Sequence, residues 1–99
     1  MTVKTLKTIN GEIIIGEIIN ETKDTYTIKS AAVLIVKKDQ DGNLAISLGY
    51  YMPHVINDTI DLRVSCVAAE GIPTEDLVAE YNRIFGSGLV IARANELPK

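Results

Sequence analysis

At 99 residues the chain has room for one domain and one modest core. Its balance of 46% hydrophobic and 23% charged residues is that of an ordinary globular protein, and a net charge of −3 argues against a broad basic face of the kind that grips nucleic acid through phosphates. Cys66 is the only cysteine, which excludes an internal disulfide, and no apolar run approaches the ~20 residues of a bilayer-spanning helix. The expected setting is therefore cytoplasmic, soluble and off the membrane. Trp is absent and the aromatics are four Tyr and one Phe, so the core rests on Ile, Val and Leu. That β-branched supply favours strands.

The alternation from Val3 to Ile9 predicts a first strand, and Asn10-Gly11 after it is a strong two-residue hairpin signal. A second strand follows over about 12–20, EIIIGEIIN, with Ile on both faces and Gly16 at its middle, where a glycine marks a sharp bend. Glu21 to Asp24 is a polar turn. Strand three, about 25–36, sets Tyr26 and Ile28 against Thr25, Thr27 and Lys29, and Ser30-Ala31-Ala32 interrupts the pattern as a bulge would.

KKDQDGN, residues 37–43, is a hairpin loop around Asp41-Gly42. Strand four, about 43–52, alternates cleanly, with Leu44, Ile46, Leu48 and Tyr50 on one face. Tyr50 and Tyr51 therefore fall on opposite faces, one expected buried and one exposed. After an Asn57-Asp58 turn, strand five over about 59–69 places Ile60, Leu62, Val64, Cys66 and Ala68 on one side. Pro73 and Thr74 open a helix over about 74–85, with Glu75 and Asp76 in its first turn and Leu77, Val78, Tyr81, Ile84 and Phe85 on one stripe. The tail, 87–99, holds one more apolar run, Leu89-Val90-Ile91-Ala92, suited to an added strand. The expected fold is mostly β: a small five-stranded, strongly bent antiparallel barrel, closed or nearly closed, over about 3–69, with one helix on its C-terminal side, all in a single domain.

Residues Leu6 to Leu34, LKTINGEIIIGEIINETKDTYTIKSAAVL, resemble the first Sm motif of the Sm, LSm and Hfq-like family. Gly11 matches its turn glycine, Gly16 the glycine of its bent strand, and ETKDTYT falls at its base-binding loop. The likeness is greater to small Sm-like proteins carried by phages than to eukaryotic ones. It covers about the first third of the chain in motif terms and, by strand count, reaches about Ala69. Two features differ from the family: the chain opens on a strand rather than a helix, and HVINDTIDLRVSCV carries no recognisable second motif.

The resemblance implies a cyclic homo-oligomer, closed by pairing strand four with strand five of a neighbour, with single-stranded RNA as a further partner. Lys23, Asp24, Tyr26 and Arg63 are the candidate RNA-binding residues, with Tyr26 stacking on a base. Read without the resemblance, Tyr26 is a cross-strand packing residue and Lys23-Asp24 a solvated turn. The alternative function is a structural or protein-interaction ring that binds no RNA.

No catalytic site, metal site or cofactor is expected. His54 is the only histidine and lacks a Cys, Asp or second His at ligand spacing, and Cys66 lies on an apolar strand face with no group to stabilise a thiolate.

Overall fold

A computed structural model describes residues 2–86. Six antiparallel strands form one sheet: β1 (Thr2–Thr8), β2 (Ile13–Glu21), β3 (Thr25–Lys38), β4 (Leu44–Tyr50), β5 (Thr59–Arg63) and β6 (Val67–Gly71). Their order is β4-β3-β2-β1-β6, and β5 adds to β3. The long β3 thus carries two strands on one edge. β5 pairs with its first half, Thr25 to Lys29, and β4 with its second half, Ala32 to Lys38. The predicted mostly-β antiparallel fold and its late helix are present.

The bend sits where β2 and β3 carry their special residues. The β2–β3 register jumps between Ile15↔Ala32 and Glu17↔Lys29, which leaves Ser30 and Ala31 outside the ladder as the expected bulge. Ser30 has a positive φ of 54°. Opposite the bulge stands Gly16, where any Cβ would run into the Ile28 side chain and press on the Ala31 backbone.

Two structures differ from the sequence expectation. Strand five is not continuous: a 3-10 turn at Val64–Cys66 divides it into β5 and β6, and Ala68 is exposed. The chain has to leave the edge of β3 and reach the edge of β1, and no straight strand spans both edges. Among the described residues the sheet also stays open, short of a fully closed barrel. Among the described residues β5 and β6 share no ladder, and only the 3-10 turn joins them.

The curved sheet packs on both faces. Inside the curve Leu6, Ile14, Ile18, Tyr26, Ile28 and Ala31 form a core, with Tyr51, Ile60, Leu62, Val64 and Val67 against it. On the outer face α1 (Glu75–Tyr81) brings Leu77 and Tyr81 onto Val3, Ile15, Ala32, Leu34 and Leu48. Thr74 caps α1 by accepting the Leu77 N–H at 3.3 Å. The regular helix is shorter than predicted and passes into a π-helical turn at Asn82–Gly86, which leaves Ile84 partly exposed while Phe85 packs.

Tyr81 fixes α1 to the bulge. Its hydroxyl donates to the Ser30 carbonyl at 2.9 Å and lies 3.3 Å from that of Lys29. A carbonyl released from the ladder inside a packed region needs such a donor. The Ser30 hydroxyl in turn donates to Asp58 at 2.5 Å, which ties the bulge to a loop where His54, Asn57 and Asp58 all have positive φ.

Tyr51 joins the inner core and Tyr50 is 62% exposed, the expected division. Among the described residues no helix is long and apolar enough to cross a membrane. The predicted tail run, Leu89 to Ala92, lies outside the described residues.

Candidate nucleic-acid interface

Two turns meet at one end of the curved sheet. The β2–β3 turn is built around Thr22, whose hydroxyl accepts the N–H of Asp24 at 3.1 Å and of Thr25 at 3.0 Å. A short polar side chain that satisfies its own turn in this way holds the backbone without a glycine. The backbone Thr22 N–H donates to the Thr25 carbonyl at 2.8 Å. The second turn is the 3-10 segment Val64–Cys66, whose first N–H, from Val64, donates to the Asp24 carbonyl at 2.8 Å.

That bond brings together three of the four predicted residues. Lys23, Asp24 and Arg63 line one open cleft of about 350 Å³ with Val64 and Ser65. All three are exposed, and none of their side chains makes an ion pair among the described residues. Arg63 is set by register, its Cα opposite Thr25. Two cations and one carboxylate on open polar ground suit a phosphate contact or the edge of a base. A guanidinium also offers a flat surface for stacking.

Tyr26 does not join the cleft. Its ring is only 6% exposed within the inner core. Its hydroxyl donates to Glu70 at 2.5 Å, and the Lys4 ammonium lies 5.8 Å from the ring centre. The hydrogen bond to Glu70, then burial, then the Glu70 and Glu21 charges push its pKa up to about 12. Glu70 is held below the usual carboxylate range, chiefly by the same hydrogen bond, with Lys4 adding to it. Lys4 stands 3.6 Å from Glu21 and 3.5 Å from Glu70. The expected base-stacking face of Tyr26 is thus occupied by packing, because Tyr26 alternates with Ile28 on the side of β3 that turns inward.

Val64 and Ser65 were hidden from sequence reading by the even alternation from Ile60 to Ala68. Only Ser65, a polar residue expected on the solvent side, hinted at the turn. His54 is exposed in the β4–β5 loop, Cys66 is partly buried, and among the described residues no three His, Cys, Asp or Glu side chains are grouped to hold a metal. Compared with known proteins, the chain matches no family model and no curated sequence.

Proposed function

We propose that this chain assembles into an Sm-like homo-oligomeric ring that holds single-stranded RNA at the cleft between the β2–β3 turn and the 3-10 turn. The observation that carries the reading is the Val64 N–H to Asp24 carbonyl bond, which locks Lys23, Asp24 and Arg63 onto one open surface. Ring closure is supported by the two ends of the sheet. β4 and β6 each pair on one side only among the described residues. Their outer backbone groups are of the kind a neighbouring copy can satisfy. Pairing β4 of one copy with β6 of the next repeats the cleft around the axis, so that several weak contacts act on one strand.

In this reading Lys23 neutralises a phosphate, Arg63 stacks on a base or forks to a phosphate, and Asp24 accepts from an exocyclic amine. Tyr26 supports the turn from beneath. The test is retention of a short single-stranded RNA at stated salt. Lys23→Ala and Arg63→Ala should each weaken binding and lower the salt slope by about one phosphate contact. Neither change touches the core, so the assembly mass should stay the same. Undiminished binding in both variants sets this cleft aside.

A ring without RNA is the second reading, favoured by the net charge of −3. It takes over if the wild-type protein retains no RNA even at low salt, where phosphate contacts are strongest.

A further inference from the structure

The face of the sheet that carries α1 is only partly covered by it. Leu34, Val36 and Lys38 on β3 share that face with their register partners Leu48, Ile46 and Leu44 on β4. Leu77, Tyr81 and Phe85 close over Ala32, Leu34 and Leu48. Beyond the helix Val36 and Ile46 are each 56% exposed and Leu44 is 69% exposed. Between this strip and the flank of α1 runs an open groove of about 330 Å³, lined by Leu34, Ile46, Thr74, Asp76, Leu77 and Glu80. A contiguous apolar strip with a polar rim marks a contact surface.

We propose that this groove seats the C-terminal segment of this same chain, with Ile91 against Ile46 and Val36 and with Arg93 toward Asp76. Three observations select that occupant over another. The first is where the segment starts. Phe85 packs edge-on against Tyr50, with ring centres 5.0 Å apart, so the chain leaves the helix beside the C-terminal end of β4. Ile46 lies four residues back along that strand, roughly 13 Å away at about 3.3 Å per residue. The five residue steps from Gly86 to Ile91 span up to about 17 Å when extended, so the reach suffices without strain.

The second observation is composition. Leu89-Val90-Ile91-Ala92 is an apolar, β-branched run that repays burial against a strand face. The third is charge. The run is followed by Arg93, and the rim of the groove carries Asp76 and Glu80. Arg83 already holds Glu80 at 2.6 Å, whereas Asp76 makes no ion pair among the described residues. Seated in this way, the tail would cover the face of β4 and leave the outer edge of that strand to a neighbouring copy. The inference stands whether or not a ring forms.

Cross-linking in the full chain tests the seat. With Cys66→Ser to remove the native thiol, Ile46→Cys and Ile91→Cys are combined and mildly oxidised, and the product is sized under denaturing, non-reducing conditions. Ile9→Cys with Ile91→Cys is the control, since Ile9 is 65% exposed but lies on the β1–β2 hairpin. The expected result is an internally linked product of single-chain mass, at least about tenfold more abundant than in the control. Val36→Cys with Ile91→Cys should give the same product, which guards against a folding defect at Ile46. Linked dimers or a ladder mean that the groove takes the tail of another copy and overturn the proposal. Linkage no greater than the control overturns it as well.

Discussion

Gly16 shows how one missing side chain sets the curve of the sheet. Its position in an Ile-rich strand marks a bend in the sequence, and in the structure Ile28 and the Ala31 backbone fill the space a Cβ would need. Gly16→Val should therefore destabilise by about 1–3 kcal/mol, the range for overpacking. A lowered urea midpoint checks this, and an unchanged midpoint shows that the neighbours give way freely. Tyr26 carries the opposite lesson. Its inward direction was legible from its alternation with Ile28, whereas the base-stacking role came only from the family resemblance. Because its folded-state pKa is raised to about 12 from 10.0, the folded protein keeps that proton where the unfolded chain loses it. The stability this contributes is complete below pH 10 and is lost as pH rises toward 12. Tyr26→Phe should lower stability at neutral pH and make the alkaline decline shallower. Thermal midpoints across that range measure both effects.

Among the elements, hairpins and strands one to four were readable because turn residues and two-residue alternation agree there. The break at Val64–Cys66 was not, since a 3-10 turn of Val, Ser and Cys preserves the apolar-polar alternation of a strand. What imposes the turn is tertiary: the chain must cross from β3 to β1, and the Asp24 carbonyl receives the Val64 N–H on the way. The same is true of the cleft. Lys23 and Arg63 are 40 positions apart in sequence, and only the β3–β5 register brings them together. The helix was legible from its stripe and its Thr74 cap, but its anchor on the bulge was not. Tyr81→Phe removes the donor to the Ser30 carbonyl and keeps the ring packing, so it should cost about 1–3 kcal/mol, the penalty for an unsatisfied buried acceptor. Chemical denaturation reads that loss. Faster amide exchange in α1 than in β2 would locate it at the helix contact.

For the whole molecule, the sheet is open among the described residues. Its inner core draws on both sides of the opening, Ile60 and Leu62 from β5 and Val67 from β6, so among the described residues the fold is held together without a closing ladder. Among the described residues β4 and β6 are then left as two outer strands at opposite ends of the strand order. A copy that pairs its β4 with β6 of the next has its own β6 available to a third, which is the condition for a ring rather than a closed pair. Neither strand carries a Lys to blunt its edge. In the proposed ring a charge of −3 per copy would oppose association between rings, and Lys23 and Arg63 would supply local positive charge at each cleft. Absolute mass in solution tests the assembly most directly. Light scattering at micromolar protein should give a whole-number multiple, three or more, of the 10.8 kDa chain, unchanged on dilution over about tenfold. A mass of 10.8 kDa under those conditions contradicts the ring and, with it, the repeated cleft on which RNA binding is proposed to depend.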